Sequence, residues 1–176
     1  MLPKLNDVPK YKMTIPSSGK SVRFRPYLVS EEKVLMMFQE SGDINNGLEG
    51  IIDLVVNCTE GIGDKRELTT FDIDYMFIQL RAKSVGEKSE FILNCEECSH
   101  GNEYVLDLLS IEAEKPKPLK KKVKLSDEYS VELKYPSYSE IELDENGVPE
   151  PISWIASCLS ALCTKEERTD MRDESI

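Results

Sequence analysis

The chain has 176 residues, with 33 Asp or Glu, 22 Lys or Arg and one His, and its formal net charge is −11. The length suits one ordinary domain or two very small ones. The charge argues against broad binding to nucleic acid or anionic membranes, because phosphate contacts need clustered cations. The sequence has neither the ~20 consecutive apolar residues of a membrane span nor the apolar segment of a signal peptide. We therefore expect a soluble, acidic, intracellular protein.

The N-terminal segment predicts a β-hairpin. Residues 11–15 alternate between apolar and polar side chains with the period of two that a half-buried strand requires. Turn-forming residues follow at 16–20, and Val22 and Phe24 then continue the alternation. Pro26 ends the second strand, because proline cannot donate a hydrogen bond to the ladder.

The middle of the chain predicts three helices, in which apolar residues recur every three or four positions. The first can be capped by Ser30 and ends near Gly42. The second is expected over Asp43–Asn57 and the third over Phe71–Lys83. Either Thr70 or Asp72 can cap the third helix, since both side chains accept hydrogen bonds from backbone N–H groups.

The second half of the chain returns to strands. Alternating apolar residues at 91–95 and 104–108 predict a second hairpin with a turn between them. A further hairpin is expected within residues 123–135, and a final helix over Ile152–Cys163, which has apolar residues at helical spacing.

Together these elements predict an α+β fold. It consists of an N-terminal β-hairpin, a helical segment of about three helices, a zinc-knuckle-like β-hairpin, a further hairpin and a C-terminal helix. We divide the chain into residues 1–111, which hold the first hairpin, the helices and the Cys-x-x-Cys hairpin, a Lys/Pro linker at 112–122, and residues 123–176, which hold the second hairpin and the C-terminal helix with a charged tail.

Cys95 and Cys98 form a Cys-x-x-Cys pair in the predicted turn. Two thiolates at this spacing supply half of a tetrahedral zinc site, to which His100 could add a third ligand and a distant Cys a fourth. The chain has no second Cys-x-x-Cys pair. Two other interpretations stay open. The thiols are free in an ordinary turn, or they form a redox pair, which would need the N-terminus of a helix to lower a thiol pKa.

The sequence gives little support to catalysis. Histidine is the side chain best suited to proton transfer near neutral pH, and the one histidine, His100, lies in a predicted turn. Gly61-Ile62-Gly63 lacks the remaining residues of a phosphate-binding loop. We therefore expect a protein without enzymatic activity, whose one candidate cofactor is zinc.

Trp154 and Phe38 are the candidates for partner binding. Trp154 lies on the predicted C-terminal helix, and tryptophan often anchors protein interfaces. Phe38 follows Met36 and Met37, whose side chains adapt to different surfaces. The alternative for both residues is packing in the chain's own core.

Several short segments follow one another in a specific order: Pro16–Lys20, Phe24–Val29, Glu31–Met36, Glu40–Asp43, Cys58–Thr59, Phe71–Phe77, Leu80–Glu87 and Cys95–Cys98. In that order they resemble the baseplate hub assembly proteins, also called baseplate hub subunits, of T-even-like contractile-tailed bacteriophages. The resemblance runs from about Pro3 to Pro136.

This resemblance implies a role in building or forming the central hub of the tail baseplate, by contact with other hub proteins and without catalysis. It implies a location in the host cytoplasm during assembly, or in the tail baseplate of the virion. The family pattern continues into a Phe-rich segment and a second Cys-x-x-Cys that this sequence lacks, so we expect a shortened or split version of the family. The alternative function is that of a small zinc-ribbon-like adaptor protein of a cellular complex.

Overall fold

The computed structural model describes residues 8–41, 44–114, 121–141, 144, 148–165 and 167–171. Across these residues the chain has four α-helices and three antiparallel sheets, which confirms the predicted α+β class. The helices are α1 (Val29–Ser41), α2 (Ile44–Cys58), α3 (Thr70–Ser84) and α4 (Pro151–Ser157). The strands are β1 (Tyr11–Thr14), β2 (Ser21–Phe24), β3 (Thr59–Glu60), β4 (Lys88–Asn94), β5 (Gly101–Asp107), β6 (Lys122–Lys124), β7 (Ser130–Leu133), β8 (Leu159–Cys163) and β9 (Arg168–Asp170).

The first sheet confirms the predicted N-terminal hairpin. β1 pairs with β2, with Met13 opposite Val22, and β3 extends the sheet along β2. Gly19 lies in the turn with φ of +68°, a left-handed conformation that glycine adopts without steric cost. One face of the hairpin carries the buried side chains that begin the core.

The described core lies between this sheet and the helices α2 and α3. It combines strand residues that alternate inward with helix residues that share one face. Val55, Met76 and Leu80 are completely buried within it. The other buried members are Met13, Ile15, Val22, Phe24, Leu54, Cys58, Leu68 and Ile73.

Helix α3 begins one residue away from the predicted cap. Thr69 is the N-cap, and its side chain accepts a hydrogen bond from the backbone N–H of Asp72. The Asp72 carboxylate in turn accepts from the Thr69 N–H at 3.0 Å, which completes a capping box. Asp72 therefore supports the cap from the third helical position instead of being the cap. The predicted cap of α2, Asp43, and the predicted end of α1, Gly42, lie outside the described residues.

The predicted C-terminal helix over Ile152–Cys163 is only half correct. Helix α4 ends at Ser157, and Leu159–Cys163 forms β8, which pairs with β7 on one side and β9 on the other. Ala161 and Cys163 are buried in this strand. Over the five residues 159–163, the apolar positions fit both the helical period of 3.6 and the strand period of two. Hydrogen-bonded pairing within the four-stranded sheet favours the strand.

The four-stranded sheet has the order β6-β7-β8-β9, and its β6–β7 pair, with Val123 opposite Val131, confirms the hairpin predicted within residues 123–135. Part of the predicted charged tail forms β9 at its edge, whereas residues 172–176 lie outside the described residues. Residues 115–120 of the predicted linker also lie outside them. The division of the chain at this linker stays a prediction.

The segment after β7 contacts the start of α3. The backbone N–H of Thr70 donates to the carbonyl of Pro136 at 3.2 Å. The Tyr138 hydroxyl donates to Asp74 Oδ1 at 3.0 Å, and the rings of Tyr135 and Phe71 pack edge to face with centroids 5.2 Å apart. These contacts tie the C-terminal part of the chain to the helices.

Candidate functional site

The Cys-x-x-Cys pair lies in the turn between β4 and β5, as the sequence predicts. The backbone N–H of Cys95 donates to the carbonyl of His100 at 2.9 Å, and the N–H of Ser99 donates to the carbonyl of Cys95 at 2.9 Å. Ser99 adopts a positive φ of +57° to close the turn. Cys98 is exposed and Cys95 is partly exposed, so solvent reaches both thiols.

Hydrogen bonds converge on the Cys95 sulfur. The backbone N–H of Cys98 contributes most, followed by that of Glu97 and by the Cys98 thiol, and together they lower the pKa of the Cys95 thiol below its ordinary value. A sulfur that accepts backbone N–H bonds in a tight turn is held in one position. The Cys98 thiol is thus within hydrogen-bond reach of the Cys95 sulfur.

The described residues fit one half of a zinc site. Structural zinc is bound by four Cys or His ligands in a tetrahedron, and Cys95 and Cys98 supply two thiols on one turn. In the described part of the chain, no group of three or more His, Cys, Asp or Glu side chains is arranged to hold a metal ion. His100 is thus not combined with the two thiols into a three-ligand group.

The pair does not lie at the N-terminus of a helix, because it joins two strands. The helix dipole that activates the thiols of redox Cys-x-x-Cys motifs is therefore not available to it. All five cysteines of the chain are free.

The strands that carry the turn form a ribbon with little burial on either side. β4 pairs with β5 over seven residues, from Lys88 opposite Asp107 to Asn94 opposite Gly101. Residues directly opposite in an antiparallel pair share a face. One face therefore presents four apolar side chains, which we call the ribbon face: Phe91, Leu93, Tyr104 and Leu106.

The ribbon face is 39 to 52% exposed at its four side chains. Phe91 and Tyr104 stack across the strands, with ring centroids 6.0 Å apart and planes at 21°. The opposite face exposes Ile92 and Val105 as well. Exposed apolar groups gathered in one place mark interaction surfaces in soluble proteins. The sequence analysis missed this surface. Apolar residues at successive positions of the two strands, which place apolar side chains on both faces, were the signal that could have found it.

Trp154 lies on a second exposed apolar surface, the α4 patch, which consists of Ile152, Trp154 and Ile155. Their side chains are 76, 43 and 65% exposed. The helix begins with Pro151 at its first turn, where a missing N–H costs nothing. The indole is thus outside the buried core.

Helix α1 and the residue before it carry a third group of exposed apolar side chains: Leu28, Val29, Val34, Met36 and Met37. Phe38 lies within α1, but its side chain lies outside the described part of the structure. Beside these residues a groove of about 280 Å³ separates α1 from α2. Its lining includes Glu31, Glu49 and Asp53 as well as apolar side chains, so the groove is acidic.

A polar cluster fastens the start of α1 to the first sheet. Arg25 binds Glu31 through two hydrogen bonds, of 3.0 and 2.8 Å, and the Leu28 N–H donates to the same carboxylate at 2.7 Å. The bond to Arg25 is the main cause that lowers the pKa of Glu31. The Cys58 thiol, 2% exposed, lies 3.8 Å from Glu31 Oε2. Burial raises the pKa of Cys58 to about 11, so it remains a thiol at neutral pH.

No helix in the described part of the chain combines the length and the apolar content needed to cross a bilayer.

Residues 8–175 match the family model described as T4 bacteriophage base plate protein. Neither the comparison with curated proteins nor that with solved structures finds a match.

Proposed function

The chain belongs to the T4 bacteriophage base plate protein family, and on this basis we propose that it is a hub subunit or hub assembly protein of the tail baseplate. The family match covers nearly the whole chain and confirms the resemblance to T-even-like baseplate proteins. The hub assignment is the finer step, and it rests on the order of the short segments along residues 16–98.

The proposed protein acts by contact with other baseplate hub proteins. The observation that carries this is the exposed apolar surface on three separate elements: the ribbon face, the α4 patch and helix α1. A protein that works by contact needs apolar surface that its own core does not use. The α4 patch also carries a tryptophan flanked by two isoleucines, a combination of the kind that forms the centre of interfaces.

The proposed role requires no catalysis. The buried Cys58 is a poor nucleophile, because its raised pKa keeps the proton on sulfur. His100 lies in the turn of the ribbon, where its side chain is exposed to solvent. Both observations support a protein that binds and does not catalyse.

The site of action follows from the same proposal. Hub proteins assemble in the host cytoplasm before the tail is complete, and the chain is then either retained in the baseplate or released. Mass spectrometry of purified virions distinguishes the two: a hub subunit is present at a fixed ratio to other baseplate proteins, whereas an assembly protein is absent.

Co-expression of the chain with the hub proteins of the same phage tests the contact. We expect Trp154→Ala to abolish capture of a hub protein while the thermal midpoint stays within a few degrees of the wild type. Leu125→Ala is the matched control, since Leu125 is an exposed apolar residue on the β6–β7 turn and its loss should leave capture intact. Unchanged capture by Trp154→Ala would overturn the role of the α4 patch. A loss of several kcal/mol of stability would place the indole in the core instead.

A further inference from the structure

The zinc half-site at the end of the ribbon needs two more ligands than the described chain brings to it. Cys58 and Cys163 are buried in the core and in β8, and Cys158 lies at the end of α4. No third metal-binding side chain joins Cys95 and Cys98 in the described residues. Zinc nevertheless prefers four tetrahedral ligands in structural sites, and thiolates are among the ligands it binds best. A second molecule with two thiols can complete the tetrahedron.

The ribbon face continues to the knuckle on the same side. Side chains alternate along β4, so Cys95 follows Phe91 and Leu93, and the Cys95 N–H bond to His100 extends the ladder one step into the turn. Ile92 and Gly101 lie on the opposite face, where a Cβ added at Gly101 would come within 2.9 Å of Ile92 Cγ2. An apolar surface thus leads directly to the exposed thiols.

A second copy of the chain carries the same two thiols. A two-fold axis beside the turn places an identical Cys95–Cys98 pair next to the first, and it does so without any further residue. The same axis brings the two ribbon faces together, which buries side chains that are now 39 to 52% exposed. Apolar contact and metal ligation therefore favour the same arrangement.

The charge of the turn makes this association depend on a cation. Glu96 and Glu97 separate the two cysteines in the turn. Two ribbons side by side bring these carboxylates close together, and like charges at short range repel. A divalent ion bound between the turns offsets that repulsion.

We propose that two copies of this chain associate through their ribbon faces and bind one zinc ion between the turns, through the four sulfurs of Cys95 and Cys98. Each thiol that ligates the ion gives its proton to solvent. This inference does not depend on the hub assignment.

Zinc content and mass, measured together, test the proposal. The full chain, purified without a histidine tag, is incubated with Zn²⁺ alone. We expect one zinc per two chains and a mass twice the 20.0 kDa of the single chain by light scattering. A chelator should return the monomer, and Co²⁺ in place of zinc should give the absorption bands of a tetrahedral site with four sulfur ligands.

Three variants assign the effect to the proposed residues. Cys95→Ser and Cys98→Ser should each abolish zinc uptake and the dimer, and because both side chains are at least partly exposed the fold should persist. Cys158→Ser, which removes a partly exposed thiol elsewhere, should change neither. Phe91→Asp should weaken the zinc-linked dimer at least tenfold.

Several results would overturn the proposal. They are one zinc per monomeric chain, zinc uptake that survives Cys95→Ser, a dimer that persists in chelator, no zinc uptake at all, and zinc uptake only after another baseplate protein is added. The last result would make the site one shared between different proteins.

Discussion

Asp72 is a charged side chain that the fold buries completely. Its carboxylate accepts hydrogen bonds from the N–H and hydroxyl of Ser17, at 2.8 and 2.6 Å, and from the N–H and hydroxyl of Thr69, at 3.0 and 2.7 Å. A carboxylate with four donors tolerates burial because these hydrogen bonds replace those that it made with water. Asp72 therefore ties the β1–β2 turn to the start of α3.

We expect Asp72→Ala to lower the free energy of unfolding by about 3 kcal/mol, because the donors of Thr69 and Ser17 lose their acceptor in a closed site. Ser17→Ala, which removes one of the four bonds, should cost only about 1 kcal/mol. Urea denaturation of both variants measures the difference. A loss below about 0.5 kcal/mol for Asp72→Ala would show that the network is not a structural link.

Glu31 gives the fold a measurable dependence on pH. Its folded-state pKa lies below the ordinary value of 4.5, chiefly because of the hydrogen bond with Arg25. A group with a lowered pKa binds fewer protons in the folded state than in the unfolded state. Its contribution is therefore fully present above about pH 4.5 and is lost as the pH falls through the lower folded value.

Glu31→Gln should lower stability by about 1 to 2 kcal/mol at pH 7, after allowance for the partial exposure of the pair. It should also flatten the fall in stability below pH 4.5. Glu32→Gln removes one charge from the same turn of α1 and is the matched control. Urea midpoints between pH 3 and pH 7 check both effects. Equal pH profiles for the two variants would contradict the role given to Glu31.

Among the elements, the ribbon depends on the absence of a side chain at Gly101. An added Cβ would come within 2.9 Å of Ile92 Cγ2, closer than carbon atoms pack. Ile92 is β-branched and has little freedom to turn away. We expect Gly101→Ala to weaken the pairing of β4 with β5 by about 1 kcal/mol.

Hydrogen exchange of the β4 and β5 amides measures this local effect. Protection should fall in Gly101→Ala and recover when Ile92→Ala is added, because the second change removes the methyl group in the way. The amides of α3, which lie outside the ribbon, should exchange as in the wild type. Unchanged protection in Gly101→Ala would mean that the ribbon adjusts without cost.

The same elements show what the sequence can predict. α3 is predicted within a residue at each end, because a long helix has a sustained apolar period and polar residues near its start, although the cap itself is Thr69 and not Thr70 or Asp72. The final helix is predicted too long, since a five-residue apolar segment has no distinct period and its neighbours in the sheet decide. Cys95 and Cys98 are found from spacing alone. The exposure of the ribbon face is not predicted from the sequence. Alternation predicts that one face of the hairpin is buried, but it does not show whether another element packs on that face.

For the whole molecule, contacts join the part of the chain before the linker at 112–122 to the part after it. Tyr138 and Tyr135 contact α3 through a hydrogen bond and a ring contact. Burial raises the pKa of Tyr138 to about 12, so its hydroxyl keeps the proton that it donates to Asp74. These contacts couple the two parts.

We expect one unfolding transition in the wild type and two in the double variant Tyr135→Ala, Tyr138→Phe. Trp154 is the only tryptophan, so its fluorescence follows the C-terminal part, while circular dichroism follows the helices. The two midpoints should coincide in the wild type and separate in the variant. Tyr129→Phe, a change at an exposed tyrosine after the β6–β7 turn, should leave them together. Separate midpoints in the wild type would show independent parts.

Because Cys58 is buried, the rate at which its thiol is alkylated reports on opening of the core. An alkylating reagent reacts with a thiolate that it can reach. The Cys58 thiol is both buried and protonated, so it reacts only after the surrounding core opens. Cys98 is exposed and Cys95 is partly exposed, so both react before Cys58. A time course resolved by the mass of each cysteine peptide therefore records two events: early labelling of Cys95 and Cys98 reports whether the turn is occupied, and late labelling of Cys58 reports how often the core opens.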